Sequence, residues 1–184
     1  MLSSDKAFIQ AYNCHAAVDS DSQVILLAQV SQTAADQGQL LPLVEQVTLE
    51  QKQTPKVVSA DAGYWKESDI ELLEANDIEP LVAPKRVKHS EWRQMKAPRG
   101  RIPKDLTRKE RMLRKLSTQR GRAEYGKRKT TAEPVFGQIK EALGFRQFLL
   151  RGHRKVQGEW SLVCMANNIL KLMRSGWSPE RAPS

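Results

Sequence analysis

Residues 56–64 read KVVSADAGY, and this short stretch decides the class of fold. Val57 and Val58 are β-branched, and Thr54-Pro55 separates them from the helix-like segment before, so the stretch predicts a short strand. Asp61 comes at the carboxyl end of this strand, where open α/β folds bind their ligands. Asp61 is therefore a candidate functional residue. The alternative is an Asp-Ala-Gly turn that only ends the strand.

The segments on either side alternate between strand-like and helix-like patterns. Residues 8–18 and 23–30 are rich in β-branched and apolar side chains and flank the turn sequence Asp-Ser-Asp-Ser, which predicts a β-hairpin. One helix is predicted over 36–51. Another is predicted from Ser68, whose spacing to Glu71 is that of a capping box. A short strand bounded by prolines follows, and this order indicates an α/β layer with at least one parallel pair.

The second half of the chain is predicted to be mainly helical. One helix should start at Thr107, which begins a Thr-x-x-Glu capping box. A second should open at residue 130, with Pro134 in its first turn, and close at Gly144. The last helix should run from about 155 to 174, because its apolar residues recur at steps of three and four.

The net charge of +9 is unevenly distributed over the 184 residues. Residues 1–84 contain four Lys and Arg and thirteen Asp and Glu, whereas residues 85–129 contain eighteen and four. Residues 130–184 contain eight and four. A dense block of Lys and Arg is what binding to nucleic-acid phosphates requires, and a solvated loop is the alternative. We name residues 85–129 the basic segment, and we expect an exposed insertion in its first part, before the helix that should start at Thr107.

Composition excludes several classes of protein. No run of eighteen apolar residues occurs, which excludes a membrane-spanning helix. Cys14 and Cys164 lack companions at metal-binding spacing, which argues against structural zinc and against a disulfide framework. The start MLSSDKAFIQ lacks the basic and apolar regions of a secretory signal. We therefore expect a soluble protein of the cytoplasm.

A second candidate carboxylate, Glu133, follows the basic segment. In residues 125–140, YGKRKTTAEPVFGQIK, Tyr125, Arg128 and Lys140 surround it as Y-x2-R-x4-E-x6-K. Glu133 and Lys140 are seven residues apart and so share a helix face, where a lysine can meet a DNA phosphate. One acid from a strand end and one from a helix can together bind Mg²⁺. The alternative is a helix capping box, since a threonine lies three residues before Glu133.

The chain resembles the carboxyl-terminal part of the DDE-type transposases of bacterial insertion sequences, in the branch marked by a Tyr-Arg-Glu-Lys helix. Three stretches carry the resemblance in the family's order: AYNCHAAVDSDSQVILLAQVSQTAAD, VVSADAGY and RKTTAEPVFGQIKEALGFRQFLLRGHRKVQGEWSLVCMANNILKL. The resemblance extends over about residues 7–174. The family motif is Y-x2-R-x3-E-x6-K, so Arg128 lies one residue farther from Glu133 than the motif asks. Arg128 and Lys129 are therefore alternatives for the phosphate contact.

The resemblance implies an RNase H-like fold, in which helices flank a mixed sheet, and an activity of metal-dependent DNA cleavage and strand transfer. It implies that Asp61 is the second and Glu133 the third acid of an Asp-Asp-Glu triad that binds Mg²⁺ or Mn²⁺. The DNA, here the transposon ends, is implied to contact Tyr125, Arg128, Lys129 and Lys140.

The first acid of the triad has no clear match in this sequence. In the family it ends the first strand, which is central in the sheet and precedes the hairpin predicted here. Asp5 and Asp19 are poor substitutes, and we assign Asp36 to a loop or to helix capping. We therefore expect a sheet that lacks its first strand, with two unpaired edges, in a truncated transposase that is inactive alone.

A second function is compatible with the same residues: a basic DNA-binding protein without catalysis that interferes with a full-length transposase. In either case DNA is the main partner, self-association or association with full-length transposase is expected, no membrane is involved, and the protein lies with the bacterial nucleoid. The expected segments are the first part of the catalytic domain (1–84), the basic segment with its helix (85–129), the Glu133 helix with the last helix (130–174) and a tail (175–184).

Overall fold

The computed structural model describes residues 11–86 and 97–176, an α/β chain. The described chain forms two compact units: a terminal unit, made of residues up to Ala34 and from Thr131 onward, and a central unit, Ala35–Thr130. The segment boundaries expected from the sequence stay predictions. The elements in chain order are β1 (Asn13–Val18), β2 (Ile25–Ser31), α1 (Leu40–Gln51), β3 (Val57–Ala60), a 3₁₀ turn (Ala62–Tyr64), α2 (Glu67–Ala75), β4 (Glu79–Val82), α3 (Arg108–Ser117), α4 (Gln119–Glu141) and α5 (His153–Arg174).

The terminal unit is built on the antiparallel hairpin β1–β2, as the sequence predicted. Its turn uses Asp19, whose carboxylate accepts from the main chain of Ser22 at 2.7 Å. Helix α5 packs on β2, and the indole nitrogen of Trp160 donates to the carbonyl of His15 at 3.0 Å. The buried core of this unit consists of Ile25, Val30, Val135, Ile139, Val156, Trp160 and Cys164.

Side chains of α5 satisfy the free edge of β2. The amide of Asn168 accepts from the N–H of Ile25 at 2.9 Å and donates to its carbonyl at 2.8 Å. Gln157 accepts from the N–H of Val30 and donates to the carbonyl of Ala28, both at 2.8 Å. Unsatisfied strand edges invite pairing with other chains. The edge of β2 is closed by these amides, whereas β1 has no second strand partner among the described residues.

The central unit is built on the parallel pair β3–β4, which α2 connects, so the predicted strand, helix and strand order is confirmed. Pro80 to Val82 of β4 are fully buried, whereas β3 is half-exposed. The buried core of this unit consists of Leu40, Val44, Trp65, Ile70, Leu73, Ile78, Leu81, Val82, Ala83, Met112, Leu116 and Tyr125. Both sheets are two-stranded within the described residues.

Several cations of the basic segment form ion pairs with acids inside the central unit. Arg108 of α3 contacts three acids of α2, and Glu79 of β4 contacts two bases. The distances are 3.8 Å from Arg108 to Glu67, 3.3 Å to Glu71 and 3.0 Å to Glu74, and 3.2 Å and 2.7 Å from Glu79 to Lys115 and Arg120. Charges that are separated along the sequence therefore form ion pairs within the folded unit, in addition to any role in binding an external anion. Residues 87–96 of the segment lie outside the described residues.

One of the two expected serine or threonine capping boxes is present. Thr107 accepts from the N–H of Glu110 at 3.3 Å, and the Glu110 carboxylate accepts from the N–H of Thr107 at 2.8 Å. The hydroxyl of Thr107 also donates to the Glu110 carboxylate at 2.6 Å, and the bonds from this hydroxyl and from the N–H of Thr107 lower the pKa of Glu110. The box at Ser68 is wrong, because α2 already begins at Glu67 and Ser68 donates to Asp69 within the first turn.

The predicted helix start at residue 130 is also wrong. Helix α4 begins at Gln119 and continues through Pro134 to Glu141. The hydroxyl of Thr130 donates to the carbonyl of Lys127 at 2.9 Å, as in a helix interior, so it does not cap a helix with Glu133. The residues before 130 are helical because they bury Tyr125 in the central core, a tertiary gain that local start signals do not reveal.

Both cysteines lie in the terminal unit. Cys164 is buried and Cys14 is half-buried, and both are free thiols. Burial raises the pKa of Cys14 to about 11. Burial, and then the charge of Cys14, raise the pKa of Cys164 to about 12. These two groups are therefore protonated near neutral pH.

Candidate functional site

Asp61 lies where the sequence predicted it, immediately after the last residue of β3. It has extended backbone angles and precedes the 3₁₀ turn. Its side chain is 69% exposed, and Oδ1 accepts a hydrogen bond from Nη1 of Arg128, with which it forms an ion pair. The strand-end acid and the arginine of the Y-x2-R motif, 67 residues apart, are thus in direct contact.

Arg128 is held from a second side by Tyr125, three residues earlier on α4. Residues at this spacing are neighbours on a helix surface. The guanidinium carbon lies 4.5 Å from the centre of the tyrosine ring, which is a cation–π contact. The ring is buried in the core of the central unit. Burial raises the pKa of Tyr125, while the charge of Arg128 opposes this shift.

A third acid, Asp36, lies beside the 3₁₀ turn that follows Asp61, whereas the sequence predicts only a loop or helix-capping role for it. Asp36 lies in the loop before α1, one of its two expected roles, and Gln39 is the residue that precedes the helix. One carboxylate oxygen of Asp36 lies 2.9 Å from the position that a Cβ atom would occupy at Gly63. Burial, then Asp36 and Asp61, raise the pKa of Tyr64 far above its ordinary value. The glycine in the Asp-Ala-Gly turn is the signal that could have indicated this close approach.

The other predicted site residues lie on α4. Lys129, Glu133 and Lys140 are all exposed. Glu133 and Lys140 belong to the terminal unit and Asp61 to the central unit, so a meeting of Asp61 and Glu133 stays a prediction. Among residues 11–86 and 97–176, no three His, Cys, Asp or Glu are grouped as metal ligands.

The chemistry of the available donors still suits a hard divalent cation. Carboxylate oxygens are its preferred protein ligands, and Mg²⁺ is commonly held by only one or two of them. Asp61 offers an exposed carboxylate, and so does Glu133. Neither is enclosed by apolar groups, so water and phosphate oxygens can complete a coordination shell.

A cleft of about 750 Å³ lies elsewhere in the central unit, along α3. Its arginines hold the neighbouring loop: Arg111 donates to the carbonyl of Lys104 at 2.9 Å and Arg114 to that of Gly100 at 3.0 Å. None of the predicted site residues lines this cleft. The cleft is therefore a junction between helix and loop, and the candidate site is the surface around Asp61.

A family model described as Transposase DDE domain matches residues 3–169. The chain belongs to this family. The resemblance to insertion-sequence DDE transposases is confirmed, and the function of a transposase DDE domain is of the transposase type, with DNA as partner. Members of the family generally use divalent metal ions. Searches of curated proteins and of solved structures gave no match. No helix of the described residues is long and apolar enough to cross a membrane.

Proposed function

We propose that this transposase DDE domain belongs to the Tyr-Arg-Glu-Lys branch and that Asp61 and Glu133 bind Mg²⁺ or Mn²⁺ at the ends of transposon DNA. The observation that carries the proposal is the contact between Asp61 and Arg128, with Tyr125 beneath the guanidinium. It joins the acid at the end of β3 to the arginine of the sequence motif that also contains Glu133.

In the proposed reaction, water and then a 3′-hydroxyl attack phosphorus in line, without a covalent enzyme intermediate. A bound divalent cation supplies activation of the attacking oxygen and charge stabilisation of the leaving oxygen. The residues of this chain position the DNA: Arg128 and Lys140 contact its backbone and hold the scissile phosphate beside the two carboxylates, and the expected role of Tyr125 is to support Arg128 from below.

The extra residue in the motif divides the roles of two neighbouring cations. Arg128 stacks on Tyr125 and forms an ion pair with Asp61. Lys129 lies four residues before Glu133, the spacing that puts two side chains on one helix face. We assign the phosphate next to Glu133 to Lys129 and the phosphate next to Asp61 to Arg128.

The proposed fold is RNase H-like, a mixed sheet that needs one more, central strand than the described residues supply. Supporting this are two sheets of only two strands each, β1–β2 and β3–β4, a size that is marginal in water. A further strand, from this protein or another chain, would pair with the open edges and bring the first acid of the triad. We accordingly propose that the 184 residues alone do not cleave DNA.

Exposed cations of the basic segment supply the proposed sequence-independent grip on the DNA backbone. The exposed residues without an internal acid partner in the described chain include Arg99, Arg101, Lys104, Lys109 and Lys129. Each phosphate neutralised steepens the salt dependence of binding. Binding to duplex DNA should therefore weaken sharply as NaCl is raised.

Calorimetric titration with Mn²⁺ tests the metal site. Asp61→Asn and Glu133→Gln should each weaken binding by about tenfold or more, since losing even an outer-shell partner of a metal costs that much. The matched control is Glu141→Gln, an exposed acid of the same helix paired with Arg146 at 2.8 Å. Equal Mn²⁺ affinity in Glu133→Gln and Glu141→Gln would remove Glu133 from the site.

A nicking assay on duplex DNA with the transposon ends tests the proposed inactivity. The isolated chain should leave both strands intact in Mg²⁺ or Mn²⁺. Metal-dependent nicking that disappears in Glu133→Ala would show that the chain needs no further acid.

A second candidate function is DNA binding without catalysis, with interference in the assembly of a full-length transposase. The observation in its favour is the group of exposed cations, among them Arg99 and Lys104, which can neutralise DNA phosphates without any metal. Salt-dependent DNA binding that ignores both Mg²⁺ and Asp61→Ala would favour this function over the first.

A further inference from the structure

The ion pair of Asp61 and Arg128 carries an inference that rests on the proposed function and extends it. We propose that Arg128 is an internal counterion, which occupies Asp61 in the metal-free chain and passes to a DNA phosphate when Asp61 takes a divalent cation. One carboxylate then couples metal loading to phosphate binding, and Arg128 is a positioning residue in both states.

The stacking on Tyr125 keeps the guanidinium in place independently of Asp61. The ring is buried in the central core, and Arg128 lies 4.5 Å above its centre. A side chain held on a platform in this way loses little further rotamer entropy when it changes partner. Arg128 can therefore leave the carboxylate by a small movement and remain beside the site.

Charge makes the two occupants of Asp61 compete. An arginine stays protonated in proteins, so the ion pair cannot be dissolved by loss of a proton. A divalent cation on the same carboxylate would lie within a few ångströms of the guanidinium, and like charges at that distance repel strongly. Asp61 is 69% exposed and accessible to ions, whereas Arg128 is 21% exposed. Replacement of the guanidinium by the metal ion at Asp61 is therefore favoured over binding of both at once.

Arg128 has further donors for the second state. Its contact with Asp61 is made through Nη1. A guanidinium has five N–H groups and binds phosphate oxygens in pairs. The released side chain can therefore form bonds to a phosphate that the contact with Asp61 leaves unmade.

A double-mutant cycle on DNA binding tests the exchange without any catalysis. The probe is a short fluorescein-labelled DNA duplex in EDTA, over a series of NaCl concentrations. Asp61→Asn should free Arg128 and tighten binding about fivefold, the effect of losing one partly exposed ion pair. The slope of log K against log[NaCl] should steepen by about 0.9, the contribution of one phosphate.

The partner variants separate Arg128 from a general change of charge. The gain should disappear in Asp61→Asn with Arg128→Met and persist in Asp61→Asn with Lys129→Met, which removes a neighbouring cation instead. Saturating Mn²⁺ should reproduce the steeper slope in the unchanged chain and fail to do so in Arg128→Met. Circular dichroism checks that each variant is folded.

The outcomes distinguish failure of the Arg128 exchange from failure of the proposed function. DNA binding with a strictly additive cycle, or a slope that Mn²⁺ leaves unchanged in the native sequence, overturns the exchange and leaves the proposed function standing. Absence of DNA binding by the unchanged chain overturns both.

Discussion

The side-chain amide of Asn168 forms both main-chain hydrogen bonds of Ile25, accepting from its N–H at 2.9 Å and donating to its carbonyl at 2.8 Å. A strand neighbour normally fills both positions at once. A single helix side chain therefore replaces one step of a β-ladder, and it ties α5 to β2 across 143 residues of sequence.

Asn168→Ala should lower the free energy of unfolding by about 2–3 kcal/mol, because both main-chain groups of Ile25 lose their partner. Urea denaturation followed by circular dichroism measures the change. The control is Met165→Ala on the same helix, where the side chain is 51% exposed. That control should stay within about 0.5 kcal/mol of the native chain. Equal stability of the two variants would mean that water replaces the amide without loss.

Two glycines of α4 should respond to alanine in opposite directions. A Cβ at Gly121 would lie 2.1 Å from the carbonyl oxygen of Lys115, whereas a Cβ at Gly137 meets nothing within 4 Å. Gly121→Ala should destabilise the chain by about 1–3 kcal/mol through overpacking at the junction of α3 and α4. Gly137→Ala should stabilise it by about 0.5–1 kcal/mol, as alanine favours a helix interior. Thermal unfolding of both variants measures the difference, and a shared sign would contradict the geometry.

The capping box at the start of α3 should make stability depend on acid pH. Thr107→Ala should cost about 1 kcal/mol at neutral pH. The pKa of Glu110 is lowered in the folded state by bonds from Thr107. The stability from this carboxylate is therefore present above its unfolded pKa of about 4.3 and is lost as pH falls through the lower folded pKa.

Urea titrations of the native chain and of Thr107→Ala, at neutral pH and near pH 3, measure this effect. Their difference should shrink at the acid pH. A difference independent of pH would assign the cost to the threonine hydroxyl alone.

Tyr64 should report the charge around Asp61. Burial, Asp36 and Asp61 raise its pKa, so its hydroxyl should remain protonated where an ordinary tyrosine ionises, near pH 10. Asp36→Asn and Asp61→Asn should each lower the pKa of Tyr64, since each removes a negative charge that opposes ionisation. Absorbance at the tyrosinate band during a pH titration measures this, and Tyr64→Phe assigns the signal. Unchanged titration in both variants would separate Tyr64 from the carboxylates.

Local patterns predicted the strands and the position of Asp61 well. Alternating apolar residues around a turn specify the β1–β2 hairpin, and a short apolar run ended by an acid specifies β3, because both signals lie within a few residues. The start of α4 could not be read in this way. Thr130 and Pro134 resemble a helix start, but the burial of Tyr125 in a distant core decides the outcome.

Local sequence patterns could not predict the contacts of the candidate site, for the same reason. The pairing of Arg128 with Asp61 depends on packing between segments 67 residues apart. The basic segment was interpreted from its composition as a surface for phosphates. Composition could not show that Arg108 is surrounded by the acids of α2, because charges far apart in sequence become neighbours only in the folded chain.

The two thiols in the core of the terminal unit can be used to measure how often this unit opens locally. A reagent such as iodoacetamide attacks only thiolate, and burial keeps Cys14 and Cys164 protonated and shielded. Alkylation of Cys164 then requires α5 to lift from the hairpin. The rate of this alkylation, measured by mass spectrometry under native conditions, reports how often α5 separates from the hairpin. No label has to be introduced into the protein.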